Sequence, residues 1–159
     1  MLLRLSIILV AAAALAAGSG DTDKAKLSEE EQRVLDLTNE ARKKEGLQPL
    51  KVNAVLTKTA RAHSENMAKQ RKLDHKLDDM NPAQRVEKAG YKFFGVGENI
   101  YMSKRINAEA PDLAMKTWLD SKPHRENILQ KEFTEIGIGV ATNDSGEIYF
   151  TQVFGKPRK

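Results

Sequence analysis

Three histidines, one glutamate in an apolar setting and one serine near a histidine are the side chains whose types and spacing could do chemistry in this sequence. Imidazole titrates near neutral pH, so each histidine is a candidate proton carrier or metal ligand. Their settings differ. Leu56, Ala60, His63 and Met67 recur at spacings of four, three and four, which puts His63 on the inward stripe of a helix. Such a residue reads first as a core histidine satisfied by a hydrogen bond. His75 follows the polar run Arg71 to Asp74 and falls in a loop, where packing gives it less reason to be present. His124 comes directly after Pro123, which discourages helix at Lys122, so His124 is expected at a corner past the helix that carries Trp118. Glu98 lies between Gly97 and Asn99 with Val96 and Ile100 beyond them; buried alone it would be costly, so it needs a partner. Ser121 shares a helix face with Ala114 and Trp118 and ends three residues before His124.

These residues need elements to position them. Ser28 followed by Glu31 is a capping box, Val34, Leu37, Thr38 and Ala41 make the less polar stripe of a first helix, and Gly46 is its stop. Asn53 caps the second helix, which runs to about Gln70. Asn81, Pro82 and Gln84 open a short third helix that Gly90 ends. Gly95 and Gly97 suggest a close backbone turn, after which Ile100 and Tyr101 could join a short strand. Pro111 opens the helix of Trp118. Ile136, Ile138 and Val140 alternate with Gly137, Gly139 and Ala141, a strand with one large face and one nearly bare face that a helix or a ligand must approach closely. Asn143 to Gly146 is a turn, Glu147 to Phe154 the returning antiparallel strand, and Gly155 to Lys159 a loose tail. Helices before, between and after strands imply an α/β/α sandwich around a small antiparallel sheet.

Length and composition narrow the class. The 159 residues suit one domain, and the absence of cysteine excludes disulfides and an N-terminal lipidated cysteine. Residues 1–16 read as a signal peptide: Arg4, then an apolar run too short to span a bilayer, then Ala14-Leu15-Ala16 as a cleavage pattern. Residues 17–27 are a flexible leader, 28–155 the domain and 156–159 a basic tail. The expected destination is the medium, the periplasm or the cell envelope, with no transmembrane segment once the signal is removed. Net charge is +4, but Lys and Arg are interleaved with Asp and Glu, and no basic face with interspersed aromatics appears, which argues against nucleic acid as a partner. No repeat, phosphate-binding glycine loop or close-spaced zinc cluster is present.

A set of motifs in order resembles a known family. They are Ala62-His63-Ser64 with Met67-Ala68, Leu73-x-His75, Arg85 with Ala89-Gly90-Tyr91, Gly97-Glu98-Asn99-Ile100, Trp118-x-x-Ser121 and His124-Arg125-x-Asn127-Ile128-Leu129. Phe133-Thr134-x-Ile136-Gly137-Ile138-Gly139 and Tyr149-x-Thr151-Gln152-x-Phe154-Gly155 complete it. Over roughly residues 30 to 155 the chain resembles the cysteine-free bacterial branch of the CAP or SCP superfamily, which groups cysteine-rich secretory proteins, antigen 5 and pathogenesis-related 1 proteins. The resemblance implies a compact α-β-α sandwich and a cleft of two histidines and two glutamates, which some members use to hold a divalent metal. Here His75 and His124 match the histidines and Glu98 one glutamate; where the other glutamate is expected, this sequence has Ser121.

Several uses of such a cleft stay open. Zinc or another divalent cation held by His75 and His124, with Glu98 as the candidate catalytic base, would make a metal-assisted, protease-like hydrolase. Ser121 and His124 could instead form a nucleophile and base, although no third orienting group or oxyanion site can be named. The simplest reading makes His75, Glu98 and His124 a polar network that braces the domain, with Asn127 closing the adjoining turn. The expected function is then a binding or interaction module, whose partner is a lipid, an envelope component or an extracellular protein, with Tyr101 to Ala110 as a rim. Whether it is an enzyme is undecided, as is its oligomeric state.

Overall fold

The computed structural model describes residues 26–104 and 108–158, so the expected signal segment and most of the leader lie outside the described residues, as does part of the expected rim. Ser28 caps α1 (Glu29–Lys44): its hydroxyl accepts from the Glu31 N–H and the Glu31 carboxylate accepts from the Ser28 N–H, the reciprocal box its spacing implies. Gly46, at φ +68°, ends the helix by letting the chain turn left-handed. Asn53 caps α2 (Ala54–Gln70), and Asn81, Pro82 and Gln84 form the second capping box, at the start of α3 (Pro82–Lys88).

The sheet has four strands in the order β1-β3-β4-β2, with β1 Lys51–Val52, β2 Phe93–Ser103, β3 Glu135–Thr142 and β4 Ile148–Pro157. The three long strands are antiparallel neighbours, as expected, and the two-residue β1 adds a parallel edge beside Glu135 and Ile136. One face carries α1, α4 (Ala110–Asp120) and α5 (Lys122–Leu129), packed through Val34, Met115, Trp118, Ile128, Ile138 and Phe154. The other carries α2 and α3, packed through Leu56, Ala60, Val86 and Val153, with Met67, Ile100 and Tyr149 alongside. Trp118 is fully buried and donates from its ring N–H to the Ile100 carbonyl at 2.9 Å, so its polar end is paired while its area joins α4 to the sheet.

The bare face of β3 is covered by α2. A Cβ on Gly137 would stand 2.0 Å from the Leu56 carbonyl carbon, and one on Gly139 would stand 2.2 Å from the Arg61 nitrogen. The helix backbone thus lies directly on the glycines, and the Ser64 hydroxyl donates to the Gly139 carbonyl at 2.9 Å.

Three expectations are corrected. Gly95 and Gly97 do not turn the chain; they belong to the eleven-residue β2, because pairing with β4 extends from Ser103 opposite Ile148 to Phe93 opposite Pro157. That same pairing draws Lys156 and Pro157 out of the expected tail into β4. Pro123 does not leave His124 at a free corner: α4 ends at Asp120, and Pro123 stands in the opening turn of α5, where its fixed φ suits a helix start and its missing N–H is not needed. His124 is therefore in the first turn of a helix. The buried side of α1 includes Arg42, whose guanidinium is almost fully enclosed and donates to the carbonyls of Gln48, Ile128, Gln130 and Phe133.

Candidate functional site

Strand periodicity divides the site. Glu98 and Asn99 are consecutive in β2, so their side chains leave opposite faces of the sheet. Glu98 points toward α2 and α3, and Asn99 toward α4 and α5.

On the first side the Glu98 carboxylate is 1% exposed and engaged on both oxygens. Oε1 accepts from His75 Nδ1 at 2.9 Å, and Oε2 accepts from Arg85 Nη2 at 2.5 Å. Arg85 reaches it from α3 and uses Nη1 to bind the His75 carbonyl at 2.8 Å and the Met80 carbonyl at 2.9 Å, so a single guanidinium ties the His75 loop to the acid. The His63 ring, enclosed beneath α2, brings Nε2 within 3.7 Å of Oε1. Neither nitrogen of that ring has a hydrogen bond of good geometry, contrary to the satisfied core histidine expected. Burial pushes the His63 imidazole below its ordinary value; Glu98 opposes that shift, the Arg85 charge adds to it, and the Asp74 backbone opposes it more weakly.

On the other side, Asn99 Nδ2 donates to the His124 carbonyl and to Gln152 Oε1, each at 3.1 Å. Gln152 in turn donates to the Thr38 hydroxyl at 2.7 Å, which carries the chain of polar contacts across to α1. Asn127 Nδ2 donates to Asn99 Oδ1 at 2.9 Å and to the Glu98 carbonyl at 3.2 Å. It thereby links α5 to both residues of the dipeptide. These contacts hold the His124 backbone, while its ring Nδ1 is buried without a partner. Burial lowers the His124 imidazole, and the nearby His75 lowers it further. Ser121 sits at the junction of α4 and α5 with no side-chain cap bond, and among the described residues no hydrogen bond joins its hydroxyl to His124.

The geometry therefore brings His75, Glu98, Asn127 and the His124 backbone together around β2. It adds two groups, Arg85 and His63, that were not assigned to the site from sequence. The legible signal for Arg85 was the demand of Glu98 for a partner, since a carboxylate among apolar residues is best matched by a forked guanidinium.

A resident metal centre fits this donor set poorly. Catalytic zinc takes three protein ligands and a water. The cleft offers two imidazoles, Ser121 supplies no carboxylate, and the Arg85 guanidinium on Glu98 would face any cation that this acid held. Among the described residues no group of three or more His, Cys, Asp or Glu side chains is placed to hold a metal ion.

A family model described as the cysteine-rich secretory protein family (CAP) matches residues 35–154. Among curated relatives, the uncharacterized protein YkwD of Bacillus subtilis is 36% identical over 127 residues, which span 79% of this chain and 47% of that protein. The chain thus spans about half the length of that relative. An outer surface protein of Borrelia burgdorferi shares the fold, with a TM-score of 0.75, 23% identity and coverage of 84% of this chain and 96% of that one. An extracellular SCP-domain protein of Bacillus anthracis matches with a TM-score of 0.69 and 28% identity over 82% of this chain and 40% of that one. A more distant solved structure of this fold, NaASP2, was crystallised with Zn2+; it has a TM-score of 0.59 and 22% identity, and the match covers 82% of this chain and 81% of that one.

Proposed function

This chain belongs to the cysteine-rich secretory protein (CAP) family, and from that premise we propose that it is an exported binding module whose polar centre braces the domain and does not catalyse a reaction. The observation that carries this reading is the state of Glu98. A general base needs a lone pair within reach of the proton that it takes. Each oxygen of Glu98 already accepts a hydrogen bond, from His75 and from Arg85, and the side chain is 1% exposed, so its remaining lone pairs are closed off from a substrate proton. What faces the cleft is the imidazole pair: His75, 48% exposed, with Nε2 left free by the Nδ1 bond to Glu98, and the half-buried His124. Two imidazoles beside a sheet edge suit recognition of a polar group on a partner. A divalent cation such as zinc meets only these two ligands and binds weakly.

Export agrees with the extracellular setting of the Bacillus anthracis relative, and no helix among the described residues is long and apolar enough to cross a membrane. The test is a peptidase and esterase panel run on the wild type and on Glu98→Gln, together with cell fractionation. No turnover above blank in either protein, with the chain outside the cytoplasm, is the expected result. Turnover that disappears in Glu98→Gln overturns the reading.

A further inference from the structure

Antiparallel pairing sets the end of β4 beside the starts of β2 and β3, with Pro157 opposite Phe93 and Gly155 opposite Glu135. Other elements meet at that same end of the domain. β1 lies along the start of β3, where the Lys51 N–H donates to the Thr134 carbonyl at 3.0 Å. α1 and α5 finish there, fastened together by the Arg42 guanidinium on the carbonyls of Ile128 and Gln130 at 2.8 and 3.0 Å. Lys43, Lys44, Lys51, Lys92, Lys131 and Arg158 stand on these elements or on the loops between them, and all six are exposed. Among the described residues none of these six side chains is in an ion pair. The acids at this end are fewer and partly engaged. Glu132 pairs with Lys156 at 2.5 Å, and Glu135 accepts from the Tyr91 hydroxyl at 2.7 Å and from Asn53 at 3.1 Å, which leaves Glu45 and Glu87.

We propose that this basic end binds a flexible polymer of phosphate groups in the cell envelope. The proposal rests on the export given under Proposed function and names a partner class for the module. Along the sequence the six cations are scattered between residues 43 and 158 with acids among them, so only the fold gathers them. Gathered, they make a local positive field stronger than the formal net charge of +4 implies. A polyanion that meets such a field sheds its condensed counterions, and that release supplies most of the affinity.

Two features favour a flexible polymer over a bilayer or a nucleic acid. Glu45 and Glu87 stand among the cations, and a continuous anionic plane would press on both, whereas a flexible chain can pass from one cation to the next. The large apolar side chains exposed among the described residues are Leu73, Phe94 and Leu113. Leu73 follows the far end of α2 and Leu113 opens α4, so only Phe94 stands at the basic end. One ring is little area to seat in a membrane interface, and it provides no ladder on which successive bases could stack.

The experiment is isothermal titration of the full chain with a glycerol phosphate oligomer at several salt concentrations, beside an oligothymidylate of equal charge and phosphatidylglycerol vesicles. Saturable binding to the oligomer is expected, with affinity falling by at least about the third power of the salt concentration. The triple variant Lys51→Glu, Lys92→Glu, Lys131→Glu should bind at least about tenfold more weakly with its urea midpoint retained. Lys69→Glu, Lys72→Glu, Lys104→Glu changes the net charge equally at the opposite end and should stay within about twofold of the wild type. In the wild type, 15N–1H shifts should centre on the amides of Lys51, Lys92 and Lys131 and leave Asn143 to Gly146 unmoved, a readout that needs no variant to fold. Equal losses in the two triple variants, shifts centred elsewhere, tighter binding of the oligothymidylate or the vesicles, or no saturable heat overturns the proposal. An exported chain that ignores the oligomer sinks this inference alone, whereas a chain confined to the cytoplasm sinks the export on which it rests.

Discussion

Glu98 and Asn99 are adjacent in β2, yet one closes an ion pair with Arg85 beneath α3 while the other binds the His124 carbonyl beside α5. A single dipeptide in an edge strand therefore fastens both helical layers to the sheet, and Asn127 locks it by donating to the backbone of the first residue and the side chain of the second.

Removing the acid should cost stability. Glu98→Ala leaves the Arg85 charge enclosed without its partner, and breaking a buried pair on one side typically destabilises by about 3–5 kcal/mol. Urea denaturation measures this; a midpoint equal to that of the wild type would show that the brace contributes nothing.

The glycines of β3 are expected to tolerate no side chain. Gly139→Ala would set a methyl 2.2 Å from the α2 backbone, so the loss should reach or exceed the upper end of the ~1–3 kcal/mol usual for overpacking. Gly146→Ala is the control. It has open space around it but a φ of +76°, and should lose only about 1–2 kcal/mol. Equal effects at the two positions would contradict the close approach of α2.

Acid should weaken the fold through its enclosed imidazoles. Burial holds both His63 and His124 below the ordinary value, with Glu98 opposing the shift at His63. The unfolded chain then takes up protons that the folded chain refuses, so stability falls as pH drops below about 6.5, and continues to fall until the folded groups also titrate. Urea midpoints at about pH 7.5 and about pH 5.5 should differ less in His63→Gln than in the wild type. An identical difference in both proteins removes His63 from the account.

Metal should matter little. With two imidazoles as its ligands, zinc is expected to raise the unfolding free energy of chelator-treated protein by less than about 1 kcal/mol when added at a few times the protein concentration. A larger rise that vanishes in the His75→Ala, His124→Ala double variant would establish a resident site.

Much of the local structure was legible because short-range chemistry specifies it. Ser28 with Glu31 and Asn81 with Gln84 close their capping boxes as their spacings imply, and Asn143 to Gly146 makes the hairpin turn. The bare face of β3 announced a close neighbour, although its spacing did not say that the neighbour would be α2. The misreadings arose where a distant strand or helix decides. Gly95 and Gly97 resemble turn residues until β4 pairs along them, and Lys156 and Pro157 resemble a tail until they pair with β2.

By itself the sequence determined the helix ends, the alternation of β3 and the requirement that Glu98 have a partner, all of which depend on residues within a turn or two of one another, and it carried the family pattern as short motifs in order along the chain. Only the tertiary structure decided that the partner is Arg85 as well as His75, and that His63 lies against the same carboxylate. Those relationships join α2, α3, the His75 loop and β2, elements whose approach is set by the packing of both sheet faces, and no local spacing encodes the distances at which they meet.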